Sequence, residues 1–422
     1  MSRLIVPLSS AEATDADRFG PKAANLARLG RAGLPMADGF CLAAEAYRVQ
    51  VAALGLADRA RDVSSPESGT ARRAALAMRL GLLDQPIVAE VLEPLRAAWR
   101  GLVAATGAPT VVRSSALGED RLGSSFAGQF ESYLGLERED ELVTAVRSCW
   151  ASLWSTRVLR YMAARDASPD GTAMAVLVQP LVAARVSGGA LSHTADGAMV
   201  VNATWGLGAA IAQGEVVPER LVLSRDGALR ESVAGRASHQ AACAHGARRS
   251  TTHLTEPCLD PGQAIALGRL LLKVEQVMGC PVEIEWAEDD TGFKLLQARP
   301  LHLEPARIPD EIWLRHPGLS GHPSGVGWAA GVARVINCEC ELARVAVGDV
   351  LVTRVAGPAL SAVLPRVAGL VAELGGSTSH LASLGRERGI PMVLGVPDAT
   401  QRIPEGVQVA VDGVAGVVRW MR

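Results

Sequence analysis

The sequence predicts a mixed protein, α/β and α+β, of more than one domain, and three features carry that reading. Its 422 residues are 49% apolar, more than one core absorbs, since single cores stop growing near about 250–300 residues. Short apolar runs alternate with Ala/Leu/Arg-rich stretches through the first 300 or so residues, as strands and helices do when they share one fold. The final stretch, 320–422, turns rich in Val and Gly, and about a hundred residues suffice for one compact unit.

Taken in order, residues 22–34 read as a short helix closed by glycine, followed by Pro35 and a strand-like segment at 39–42. Residues 43–105 read as helical, 109–115 as a buried strand ending in small polar residues, and 174–181 and 198–203 as further strands. Around Glu283 and Glu285 the alternation places both carboxylates on one face of a strand, with Trp286 and the apolar run 293–296 implying burial. Pro305, Pro309 and Pro317 mark 304–319 as a linker between a first domain, 1–303, and a second, 320–422. Within the second, strands are expected at 331–336, 349–353, 369–372 and 407–411, with one helix at 379–388.

The net charge of −2 gives no long-range attraction for nucleic acid or an anionic membrane. No stretch approaches the roughly 18 apolar residues of a membrane span, and the apolar run at the amino terminus is too short for a signal peptide. The cysteines at 41, 149, 243, 258, 280, 338 and 340 contain no Cys-x-x-Cys pair, which fits reduced thiols and a cytoplasmic protein. Among 42 basic residues only Lys22, Lys273 and Lys294 are lysines, so each lysine invites an explanation.

The richest segment is Gly375-Gly376-Ser377-Thr378-Ser379-His380-Leu381-Ala382-Ser383-Leu384-Gly385-Arg386. Its glycines permit a tight turn after a strand, its hydroxyls are good caps, and His380 falls in the first turn of the helix, beside uncommitted backbone N–H groups. Such a place stabilises added negative charge, and a neutral imidazole is a capable nucleophile near neutral pH. With Gly348-Asp349-Val350-Leu351-Val352 before it, and Gly389-Ile390-Pro391-Met392-Val393 and Val411-Asp412-Gly413 after it, the segment resembles the phosphohistidine signature of the pyruvate phosphate dikinase and phosphoenolpyruvate synthase superfamily. The resemblance spans 320–422 and implies a swivelling β/α domain phosphorylated at the position of His380.

The same superfamily pairs that domain with an ATP-grasp nucleotide-binding domain, and the first 300 residues carry matching segments. Gly20-Pro21-Lys22 resembles the opening Gly-Gly-Lys, implying a phosphate contact for Lys22. Val112-Arg113-Ser114-Ser115 and Ser124-Ser125-Phe126-Ala127-Gly128-Gln129 resemble the Val-Arg-Ser-Ser and Ser-Phe-Ala-Gly elements. They imply a catalytic, phosphate-forking Arg113 and close backbone approach to the triphosphate at Ser125, Ala127 and Gly128. The strand 174–182 resembles the hinge against which adenine lies, implying contacts from Gln179 and Leu181. Glu283-Ile284-Glu285-Trp286 and Leu295-Leu296-Gln297-Ala298-Arg299-Pro300 resemble the Asp-Ile-Glu-Trp and Leu-Gln-Ala-Arg-Pro pair. The match implies Mg²⁺ held by Glu285 and Gln297, with Arg299 on phosphate.

Two segments depart from the pattern: Ala209 stands where the superfamily carries a carboxylate, and no Asp-Pro follows Ser187-Gly188-Gly189 near 195–197. The implied activity is an ATP-dependent dikinase-type phosphotransferase that loads His380, releases AMP and phosphate, and passes the phosphoryl group to a small-molecule acceptor. The barrel that follows the histidine domain in phosphoenolpyruvate-using members, and the acceptor domain that rifampin phosphotransferases insert between the two, find no counterpart in the sequence. A partner chain carrying the acceptor site, or an ATP-driven condensing enzyme, is the alternative expectation.

Overall fold

The computed structural model describes residues 3–63, 69–119, 129–163, 171–238, 252–254, 256–301, 313 and 316–421. They fall into two compact units, Met1–Ala183 with Lys294–Arg299, and Ala184–Phe293 with Pro300–Arg422.

The first unit is built on a five-stranded antiparallel sheet in the order Ile5–Pro7, Phe40–Leu42, Met174–Pro180, Thr110–Ala116, Ser132–Leu136. Its central strand, Met174–Pro180, is buried on both faces up to Gln179, as its unbroken apolar run requires. Helices Ala16–Arg31, Ala44–Ala53, Ala57–Arg61, Gly69–Asp84, Ala89–Thr106, Glu139–Ser152 and Thr156–Ala163 belong to the same unit. Trp150 and Trp154 are fully buried, and the Trp154 indole donates to the Tyr47 hydroxyl at 2.9 Å, which satisfies the polar end of a large apolar side chain.

The helix Ala16–Arg31 starts before the expected 22, because two helical pieces meet in it at Gly20, where φ is 74° and ψ 157°. Asp15 caps the first piece through the Asp17 N–H. Pro21 opens the second piece, where a missing N–H and a fixed φ cost nothing. A Cβ on Gly20 would stand 2.4 Å from the Ser115 carbonyl oxygen, so the position needs both glycine's left-handed φ and its bareness.

Among the described residues the second unit contains a two-stranded pair, Arg236–Ser238 with Thr252–Leu254, and two larger sheets. One runs Val282–Asp289, Val186–Leu191, Met199–Trp205, Glu219–Leu223, Leu229–Val233, all antiparallel. The helix Pro261–Met278 packs against it, entered through a capping box of Asp260 and Gln263 with proline in the first turn. The other is an eight-stranded mixed sheet in the order Gly318–Ser320, Val417–Trp420, Gln408–Asp412, Trp328–Ile336, Val350–Thr353, Gly369–Ala372, Met392–Leu394, His322–Pro323. Its edge strands are consecutive in the chain, separated by Gly321 alone, so the sheet curls back on itself around a core of Val350, Val352, Val371, Val393, Val409 and Val411.

All the strands expected after residue 330 are present with shifts of up to three residues, and the helix is His380–Glu387. The short strands at 318–320, 322–323, 392–394 and 417–420 were not expected. Most of the segment 304–319 lies outside the described residues, and its end forms the strand that begins at Gly318.

Candidate active site

In the second unit the histidine segment lies against the sheet that carries Glu285. Strand register aligns Glu285 with Gly189, and Gly189 with Asn202, across three neighbouring strands, and directly opposed residues share a face. Glu283, two residues from Glu285, occupies the same face. The loop before the helix settles on this row. Asn202 Nδ2 donates to Ser377 Oγ at 2.9 Å and Thr378 Oγ1 at 3.0 Å. A Cβ on Gly189 would lie 2.6 Å from Thr378 Cβ, so bareness there admits the loop. Glu283 accepts from Ser383 Oγ at 3.0 and 3.1 Å and from Arg386 Nη2 at 2.8 Å, and Arg386 Nη1 donates to the Ser377 carbonyl at 2.5 Å.

His380 itself is half-buried at the first position of the helix His380–Glu387. Ser379 is the N-cap, its hydroxyl accepting the Ala382 N–H at 3.3 Å, as the sequence predicts. Behind the loop sits His322, buried, its Nδ1 without a hydrogen-bond partner among the described residues. A Cβ on Gly376 would come within 3.5 Å of that nitrogen. Burial, with Arg220 and Arg236 nearby, pushes the His322 pKa down to about 3. Ala209 is exposed at the start of a short helix that follows the Met199–Trp205 strand.

The first unit gathers Lys22, Arg113 and Gln297. Lys22 is buried; its Nζ pairs with Glu119 Oε1 at 3.0 Å and donates to the Ser114 carbonyl at 2.9 Å. Next along the strand, Arg113 reaches the Leu296 carbonyl and, at 3.4 Å, Gln297 Oε1. Asn25 Nδ2 holds the Ala298 carbonyl at 3.0 Å, between Gln297 and the buried Arg299. Gln179 lies opposite Val111, two residues from Arg113. Two donors that the sequence offers to adenine are engaged within the unit: Gln179 Nε2 donates to the Ala37 carbonyl at 2.7 Å and Leu181 N to the Pro109 carbonyl at 2.7 Å. Ser125, Ala127 and Gly128 lie outside the described residues.

Residues 16–312 match the family described as pyruvate phosphate dikinase, AMP/ATP-binding domain. The chain belongs to that family. Residues 345–416, which include His380, match the mobile domain of phosphoenolpyruvate-utilising enzymes. The phosphoenolpyruvate synthase of Aeropyrum pernix is 32% identical, aligning 94% of this chain with 56% of its own length. That of Pyrococcus furiosus is 29% identical over 96% and 57%, and that of Escherichia coli 28% over 95% and 55%. The chain thus spans about half the length of these relatives. The family's description agrees with the nucleotide expected from Lys22, Arg113 and their neighbours, and the mixed α/β architecture with the expected fold class.

The sequence alone assigns no role to Glu283, Asn202 or His322. Glu283 was visible as a carboxylate on the Glu285 face; its partners lie a hundred residues on, and no local pattern shows them. His322 stands in a two-residue strand beside a proline and has no periodicity to flag it.

Proposed function

We propose that this chain is the nucleotide-binding and phosphohistidine-forming part of a dikinase-type phosphotransferase. The observation that supports it most is the seating of the His380 loop on the sheet face that carries Glu285, a candidate ligand of the nucleotide's metal. In the proposed reaction the β-phosphoryl group of ATP ends on an imidazole nitrogen of His380, AMP is released, and the γ-phosphoryl group leaves as phosphate with water as its acceptor.

Each assigned residue has a task its chemistry suits. Arg113 is a planar fork for phosphate oxygens; Lys22 and Arg299 add positive charge; Ser125, Ala127 and Gly128, outside the described residues, are small enough for their amides to serve the triphosphate. The strand Met174–Pro180, with Gln179 near its end and Leu181 just beyond it, backs the adenine. Glu285 offers a carboxylate and Gln297 an amide oxygen, each a hard donor of the kind Mg²⁺ takes, and these are the side chains that would hold the ion. When bound, the ion neutralises charge on the phosphates during transfer. The amino-terminal end of the His380 helix favours the charge that arrives on the imidazole.

The acceptor is a small molecule, and the relatives' name makes pyruvate the first to test. In this reading residues 320–422 swivel as one body on the 304–319 connection, carrying the phosphoryl group from nucleotide to acceptor. The test is incubation with ATP labelled separately at the β and γ positions, with label mapped by mass spectrometry. Label from the β position on His380 supports the proposal; label on Thr378 or Ser379 sinks it.

A further inference from the structure

We infer that Glu283 is a positioning residue, whose buried carboxylate latches the histidine helix onto the Glu285 face and sets how much of the time His380 stands ready for loading. The consequence for loading rests on the proposed phosphohistidine chemistry; the latch itself does not.

Glu283 occupies the position where the family resemblance expects an aspartate beside the metal-binding glutamate, yet its carboxylate is turned to the histidine helix. Ser383 donates to both of its oxygens, and Arg386 adds an ion pair at 2.8 Å with side chains only 5% and 8% exposed. Arg386 also gathers the loop itself, donating to the Ser377 carbonyl and, at 3.4 Å, to that of Ser324. Ser383 and Arg386 lie three and six residues beyond His380, so one short helix carries both the imidazole and the latch. Across the same sheet face Asn202 holds the two hydroxyls of the loop, and bare Gly189 leaves room for Thr378. Most of these contacts fall between Ser377 and Arg386, on both sides of His380.

The chemistry of the latch suits reversible docking. A buried ion pair roughly breaks even against hydration of its two charges, so separation returns both ions to water at little net cost. An apolar seat of the same size would hold the domain one-sidedly. Because Glu283 and Glu285 are neighbours on one face, charge brought to Glu285 by metal and nucleotide is felt at the latch within one strand repeat.

The experiment compares the full chain with Glu283→Gln, which keeps the shape but removes the charge, and with the double variant Glu283→Gln/Arg386→Gln, which leaves neither charge unpaired. Hydrogen exchange of peptides 186–191, 199–205 and 377–386 reads docking without nucleotide. Binding of a non-hydrolysable ATP analogue reads the nucleotide site, and the rate of β-label incorporation reads loading. We expect at least tenfold faster exchange in those peptides for Glu283→Gln, analogue affinity within twofold of wild type, labelling slowed at least tenfold, and partial recovery of both exchange and labelling in the double variant. Unchanged exchange overturns the latch. Faster exchange with wild-type labelling overturns the positioning role, and a tenfold loss of analogue affinity reassigns Glu283 to the nucleotide site. A wild type that never labels removes the proposed function, and with it the positioning role, while exchange still decides the latch.

Discussion

Replacing Lys22 with methionine separates the two tasks this lysine is given. Its ammonium is buried with Glu119, the two side chains 7% and 5% exposed, and Glu119 is left with the Ala116 N–H at 3.2 Å when the lysine is gone. An exposed pair of this kind would contribute about 0–1 kcal/mol. Removing one partner of a buried pair instead strands an uncompensated charge, and Lys22→Met should therefore destabilise by about 3–5 kcal/mol. In urea, with a slope of about 2 kcal/mol per molar, that moves the midpoint down by about 2 M. Adding Glu119→Gln removes the stranded charge and should recover at least half of the loss. Nucleotide affinity should not recover with it, because the ammonium proposed to meet the phosphates is still absent. A Lys22→Met variant within about 1 kcal/mol of wild type would refute the reasoning about burial, and a stable double variant with full ATP affinity would refute the phosphate contact.

Two further outcomes follow from local geometry. The folded pKa of His322 lies near 3 against an ordinary 6.5, so below pH 6.5 the unfolded chain takes up a proton that the folded one refuses. Stability should fall as pH drops from 6.5 toward 3, by about 2 kcal/mol at pH 5 from this residue, and His322→Leu should flatten that limb in denaturation curves; an unaltered limb contradicts the assignment. Gly20→Ala should destabilise by more than about 2 kcal/mol, since a strained φ of 74° is joined by collision with the Ser115 backbone. Gly33→Ala, at φ 78° with nothing within 4 Å, should cost only about 1 kcal/mol. Equal losses at the two sites would show that the contact at Gly20 is readily relieved.

The elements that the sequence made legible are those whose own residues settle them. The run Met174 to Pro180 is apolar enough to be a central strand in any context, and Ser379 before His380 announces a capped helix. Pro21 stands where the resembling motif has its second glycine, and the turn at Gly20 makes it the natural first residue of a helix. Where pairing across the chain decides the outcome, local pattern is silent. Gly318–Ser320 and His322–Pro323 are too short to show alternation and exist because the sheet curls back to meet them. Glu283 read as one more acid on a strand because Ser383 and Arg386, which define its role, come a hundred residues later. Asn202 was likewise unremarked, 175 residues from the hydroxyl of Ser377.

The central claim is tested most directly by phosphoryl transfer to His380 itself. The full chain, incubated with Mg²⁺ and ATP labelled at either the β or the γ position, should acquire acid-labile label from the β position alone, up to one per chain and mapped to His380, with AMP and phosphate released in equal amounts. His380→Ala should abolish the label while leaving analogue affinity close to wild type, because the proposed nucleotide contacts lie elsewhere in the chain. Label arriving from the γ position, ADP as the product, or phosphate mapped to Thr378 or Ser379 would contradict the account.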